Sequence, residues 1–158
     1  MKLTTKGRYA VTAMLDLALH YHGQPVVLAE IAERQCLSLA YLEQLFCRLR
    51  RAGLVKSCRG PGGGYAPGRP LGEISVAAVL AAAEEPLQVT RCGGAGDCQD
   101  GQPCLAHELW CELENHLDRF LASVNLADLA ARHRRSGDGW KSLRHRPALR
   151  EYREPLPK

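Results

Sequence analysis

Aromatic residues are scarce in this 158-residue chain, at 6%, with two tryptophans and two phenylalanines among them. Its core must come mainly from aliphatic side chains. The apolar share of 46% is enough for one ordinary domain, or for a small domain with a helical appendage and a tail. No apolar run approaches the ~20 residues that cross a bilayer, so no membrane partner is expected. The opening Met1-Lys2-Leu3-Thr4-Thr5 has none of the apolar stretch of a secretory signal, which predicts a cytoplasmic protein with reduced thiols. No C-x-x-C pair and no βαβ alternation is present, which argues against a thiol–disulfide enzyme. The glycines of GPGGG at 60–64 are followed by neither Lys-Ser/Thr nor a helix, which argues against a nucleotide phosphate loop. No enzymatic activity is expected.

Charge is present but unevenly divided. Residues 1–69 carry ten Lys/Arg and four Asp/Glu, residues 70–131 two and ten, and residues 132–158 nine and three. A basic first third beside an acidic middle predicts a head that binds nucleic acid and a separate module that does not touch phosphate.

Cysteine is plentiful, and three of the seven stand close together in TRCGGAGDCQDGQPCLAH. Cys92, Cys98, Cys104 and His107 follow the spacing C-x5-C-x5-C-x2-H, with glycines and Pro103 filling the gaps. Such a loop can fold back on itself but has few apolar side chains to pack. Three thiols and an imidazole suit a soft transition metal or an iron–sulfur cluster. Zinc is the rival, since three cysteines and a histidine also suit a tetrahedral site. Spacers longer than the usual zinc knuckle favour the larger cofactor. Cys104 and His107, at i and i+3, are expected on one face of the first turn of a long helix over 104–122.

Earlier in the chain, 8–21 (RYAVTAMLDLALHY) is almost continuously apolar, with Asp16 its one interior charge, and predicts a central buried helix. His20 and His22 read as partners of that helix's C-terminal dipole or as solvated side chains. A short helix at 28–34 and a turn at 35–37 lead to Ser38, a suitable N-cap for a third helix closed by Gly53. In that helix Leu42, Leu45, Phe46 and Leu49 fall at i, i+3, i+4 and i+7 and face inward. Its outer side shows Ala40, Glu43, Gln44, Cys47 and Arg51, flanked by Arg48 and Arg50. This is a helix-turn-helix pattern. Residues 54–58 and Tyr65-Ala66 then form a β-hairpin with a glycine-rich tip, the position of a wing. The residues expected to meet double-stranded promoter DNA are Ser38, Ala40, Tyr41, Glu43, Gln44, Arg48, Arg51, Arg59, Gly60, Gly62, Gly63, Gly64 and Tyr65. The glycines would admit a sugar-phosphate backbone, and Arg59 would supply counter-charge.

A helix at 74–83 closes the head. Along the long helix Leu105, Leu109, Leu113, Leu117 and Leu121 recur at every fourth position, which predicts pairing with a second copy. A short helix follows at 126–132, and the charged stretch from His133 reads as a disordered basic tail. The expected class is mainly α with a small β-hairpin. Its expected division is a winged helix-turn-helix domain at 1–83, a linker and cysteine-rich loop at 84–103, a dimerisation helix and short terminal helix at 104–132, and a tail at 133–158. Cys36, Cys58 and Cys111 read as buried free thiols acting as small hydrophobes.

The opening MKLTTKGRYAVTAMLDLAL, the helix SLAYLEQLFCRLRRAGLV, the wing RGPGGGY and the cysteine loop together resemble the IscR family of winged-helix iron–sulfur and redox-sensing regulators. The likeness spans about residues 1–130. It implies a bacterial cytosolic homodimer in which Cys92, Cys98, Cys104 and His107 hold a 2Fe–2S cluster received from the cluster assembly machinery. It further implies repression of cluster assembly genes by the loaded form, and binding of a second promoter class by the cluster-free form. Glu43 stands where the family discriminates between the two classes. Sister regulators that read nitric oxide or redox state are the neighbouring alternative. Ala40 and Cys47 depart from the hydroxyl residues expected on the outer helix face.

Overall fold

The computed structural model describes residues 4–84, 89–90 and 92–135. Helix α1 runs from Thr5 to His20, three residues earlier than its apolar run, because the Thr4 hydroxyl accepts from the Gly7 N–H at 3.2 Å and caps it. Ala10, Ala13, Met14 and Leu17 are fully buried, which makes α1 the central helix. Asp16 is buried on it too and is held by a neighbour that the periodicity does not reveal. Arg34 Nη2 donates to Asp16 Oδ1 at 2.7 Å, and Gln35 Nε2 donates to Oδ2 at 2.6 Å. His20 Nδ1 meets the Asp16 carbonyl at 2.8 Å.

Those partners come from α2 (Leu28–Gln35), so the carboxylate ties α2 to α1. Helix α3 covers Leu39–Arg51, and between the two helices Cys36 takes a left-handed conformation at φ 53°. Ser38 holds the N-cap position of α3 without a side-chain cap bond. Leu42, Leu45, Phe46 and Leu49 are buried as expected. Each such side chain contributes about 1.5–3 kcal/mol. Gly53, at φ 70°, closes α3: its N–H donates to the Arg50 carbonyl, and the Leu54 N–H donates to Leu49.

Strands β1 (Val55–Cys58) and β2 (Gly64–Pro67) pair antiparallel, with Lys56 opposite Ala66. Val26 adds a short third member: its N–H and carbonyl both bond Tyr65, at 2.8 Å each. Helix α4 (Val76–Ala82) is capped by the Ser75 hydroxyl and packs on α1. Fold and order are those of a winged helix-turn-helix.

Helix α5 begins at His107 and ends at Ser123, so Cys104 lies before it, not in its first turn. No residue of α5 is buried, while Leu105 just before it and Leu109, Trp110, Leu113 and Phe120 on it are exposed. Helix α6 (Leu126–Arg135) returns to the head, where Leu126 and Ala130 are buried against α1. It runs three residues past the expected end at 132, so His133, Arg134 and Arg135 are helical where a disordered tail was expected; 136–158 lie outside the described residues. No described helix is long and apolar enough to cross a membrane.

Replacing Arg34 with Ala leaves the buried Asp16 carboxylate without its cation. A loss of about 3 kcal/mol in urea-unfolding stability is expected, at the lower end for a broken buried pair because Gln35 remains. A loss below 1 kcal/mol would show that the pair does not hold α2 in place.

Candidate functional site

The cysteine loop approaches the N-terminal end of α5. Cys92 Sγ and Cys98 Sγ each lie 3.7 Å from His107 Nδ1, and the three donor atoms fall within 4.8 Å of one another. Cys104 lines the same cavity, of about 370 Å³, together with Val89, Thr90, Trp110 and Leu113. Its backbone closes the loop: the Cys104 N–H donates to Cys98 Sγ at 3.2 Å, and its carbonyl accepts from the His107 N–H at 2.9 Å. These two bonds explain why the helix starts three residues later than the sequence pattern suggests.

The thiols are shifted in opposite directions. The backbone N–H of Gly96, aided by Gly94 and opposed by burial, holds the Cys92 thiol below its ordinary range. For Cys98 the Cys104 N–H acts in the same direction. Desolvation and the adjoining Cys104 and Cys92 thiols outweigh it and leave Cys98 raised. Negative charge on the Cys92 or Cys104 sulfur therefore hinders charge on Cys98, while the Cys98 thiol supports a charged Cys92. A cation bound among them would remove that opposition, so the donor set fits a metal or an iron–sulfur cluster chemically.

None of the three extra cysteines is buried, contrary to the small-hydrophobe expectation. Cys36 is exposed at the left-handed turn after α2, and Cys58 is half-buried at the end of β1. Cys111 is half-buried one helical turn beyond His107, with its Sγ 3.5 Å from His107 Nε2. Its spacing of four residues from His107 was the available signal. Sequence reasoning also missed Glu114, whose Oε2 accepts from the Val89 and Thr90 N–H groups at 3.0 Å each and from the Thr90 hydroxyl at 3.1 Å. That carboxylate pins the segment entering the loop onto α5.

On the head, Ser38, Ala40, Glu43, Gln44, Arg51, Arg59, Gly60 and Gly62 are exposed. Tyr41 and Tyr65 are half-buried: Tyr41 meets Tyr9 edge-on at 5.9 Å, and Tyr65 meets Phe46 at 4.9 Å. Arg48 bonds Glu84 at 3.1 Å, and Lys6 lies 4.0 Å from the same carboxylate oxygen. Two wing glycines are required by the chain itself. A Cβ on Gly63 would stand 2.6 Å from the Cys58 carbonyl oxygen, and one on Gly64 would stand 2.4 Å from that of Val26.

A family profile described as Rrf2, iron-dependent transcriptional regulator, matches residues 3–132. The HTH-type transcriptional regulator IscR of Vibrio vulnificus is 57% identical over 129 residues, covering 82% of this chain and 77% of that protein. Among solved structures, CymR, the global cysteine regulator of B. subtilis, superposes with a TM-score of 0.73 at 36% identity, over 83% of this chain and 97% of that one. IscR of T. potens superposes with a TM-score of 0.71 at 36% identity, over 90% and 96%.

The hydrogen bonds from Thr90 and Val89 hold the Glu114 carboxyl below its ordinary range, against an opposing effect of desolvation. A lowered folded value means that the anchor is fully present above the usual carboxylate range and is lost as pH falls through the lowered value. Glu114→Ala at neutral pH should raise amide hydrogen exchange at Val89 and Thr90 about tenfold, after correction for intrinsic rates. In the unaltered protein the same protection should fade on acidification. Unchanged exchange in the variant would remove the anchoring role.

Proposed function

The chain belongs to the Rrf2 family and is a DNA-binding transcriptional regulator, not an enzyme; from that premise we propose that it senses an iron–sulfur cluster. The reading assigns a 2Fe–2S cluster to Cys92, Cys98, Cys104 and His107, in a homodimer of the bacterial cytosol that receives its cluster from the assembly machinery. The observation that carries it is the gathering of Cys92, Cys98 and His107 donors within 4.8 Å beside a cavity that Cys104 also lines. When bound, the cluster supplies strong metal–ligand bonds between the loop and the start of α5.

The protein's own groups divide the remaining work. Gly96 N–H favours the charged form of Cys92, and Cys104 N–H supports a charged Cys98 sulfur. Glu114 holds the entry of the loop on α5. The exposed Leu109, Leu113 and Phe120 of α5 have no cover within the protomer, which supports pairing with a second copy. Pairing through 104–132 would set two heads of 1–83 on successive half-sites of promoter DNA. The exposed face of α3 would enter the major groove, with the wing and Arg59 on the backbone. One imidazole among three thiolates makes the site less negative and more easily released than an all-cysteine one, which suits a sensor of cluster supply. The loaded form would repress cluster assembly genes, and the cluster-free form would keep a second promoter class. Glu43, exposed on α3, would turn the cluster-free protein away from the first class by repelling phosphate or rejecting base edges.

Two experiments test the reading. Anaerobically purified or reconstituted protein should show visible charge-transfer bands with equal iron and sulfide, and Cys92→Ala should abolish them. A colourless protein with one zinc per chain would replace the cluster with a structural metal. Cluster-free Glu43→Ala should bind the cluster-dependent operator at least tenfold more tightly than cluster-free parent protein. Equal binding would remove Glu43 as the discriminator.

A further inference from the structure

Helix α5 offers the loop two soft donors, not one. His107 and Cys111 stand at i and i+4 on a single helical face, and Cys111 Sγ lies 3.5 Å from His107 Nε2. The ring is thus bracketed by sulfur: Cys92 and Cys98 on the Nδ1 side, Cys111 on the Nε2 side. The cavity at the loop is lined on α5 by His107, Trp110 and Leu113; Cys111 lies outside that lining and touches the site through His107 Nε2. The loop facing this helix turns through left-handed glycines at 93, 94, 96 and 101. Displacing it by one helical turn, about 6 Å, requires no core to be unpacked.

We propose that Cys111 is a second ligand for the fourth position of the site, giving the chain two alternative sets: three cysteines with His107, and four cysteines with Cys111. The inference rests on the cluster reading of the loop. Thiolate is the softer donor and the commoner fourth ligand of a 2Fe–2S cluster, so the all-cysteine set is the tighter and more reducing of the two. In the exchange the iron–nitrogen bond to His107 breaks and an iron–sulfur bond to Cys111 forms. The thiol proton passes through solvent to Nδ1, the imidazole nitrogen that the iron vacates on the side of Cys92 and Cys98, and no electron is transferred. One site would thus have a labile state and a retentive state, selected by which donor of α5 is engaged.

The test uses full-length protein reconstituted anaerobically with iron and sulfide, as parent, His107→Ala, Cys111→Ala and the double variant. Iron and sulfide are quantified, and the reduced clusters are examined by electron paramagnetic resonance for nitrogen coupling from an imidazole ligand. Parent and Cys111→Ala should carry that coupling. His107→Ala should retain cluster at parent stoichiometry without the coupling, while the double variant should lose at least nine-tenths of it. Far-ultraviolet circular dichroism checks the helices. If the double variant loses helix, His107→Ala/Cys111→Ser keeps the side-chain volume and should either lose the cluster or shift its bands. The proposal is overturned if His107→Ala already loses the cluster, or if the double variant holds as much as His107→Ala. Failure of the parent itself to take up any cluster overturns the underlying reading instead.

Discussion

Residues 92–104 have almost nothing apolar to bury, so whatever orders this loop must act through polar and sulfur contacts. Few such contacts are available in the protomer. Glu114 grips the two residues just ahead of the loop, and the Cys104 backbone links Cys98 to His107. Between those points hydrogen bonds, including one from Cys98, hold Cys92 low, while burial and the neighbouring Cys104 and Cys92 thiols leave Cys98 raised. A bound cation would relieve the hindrance at Cys98 and favour the charged form of every sulfur around it. The rest of the arm depends on this balance, because α5 continues directly from the loop and buries none of its own side chains in the protomer.

The head is organised by different means. Asp16 on α1 and Arg34 on α2 fix the two helices by a buried charged contact. The aliphatic face of α3 and the ring of Phe46 then seat the outward helix against them. Tyr65 packs on Phe46 from the hairpin side, and Val26 bonds Tyr65 through the backbone. The wing is therefore secured at its base by aromatic contact and strand pairing. From α3 the Arg48 guanidinium reaches Glu84, at the end of α4, where the segment toward the cysteine loop begins. Arg48 thus ties the outward helix to the residue that follows α4.

Much of this was legible in the sequence. Helical spacing gave the inward face of α3 residue by residue, and the Gly-rich stretch after it gave the hairpin. The four donors of the loop followed from residue type and spacing, and three of their atoms lie within 4.8 Å in the structure. What escaped detection depends on contacts between distant segments. Nothing local links Asp16 to Arg34, Glu114 to Thr90, or Val26 to Tyr65. Cap chemistry shifted boundaries: Thr4 started α1 early, and the bonds of Cys104 delayed α5. The extra cysteines were misjudged because residue type predicts average burial, whereas Cys36 occupies a left-handed turn and Cys111 a helix face directed at His107.

The wing shows where this sequence is free to change. Gly63 and Gly64 have carbonyl oxygens of the same chain where a methyl group would go, so neither can be replaced without moving a strand. Gly60 and Gly62 have open space around them, and only their left-handed backbone disfavours a side chain. Asparagine and aspartate tolerate that conformation best. Among these four glycines, variation is therefore confined to the outer half of the hairpin tip, and the accessible chemistry there is short and polar. The surface chemistry of the tip can thus drift at two positions while the other two stay fixed by the fold's own geometry.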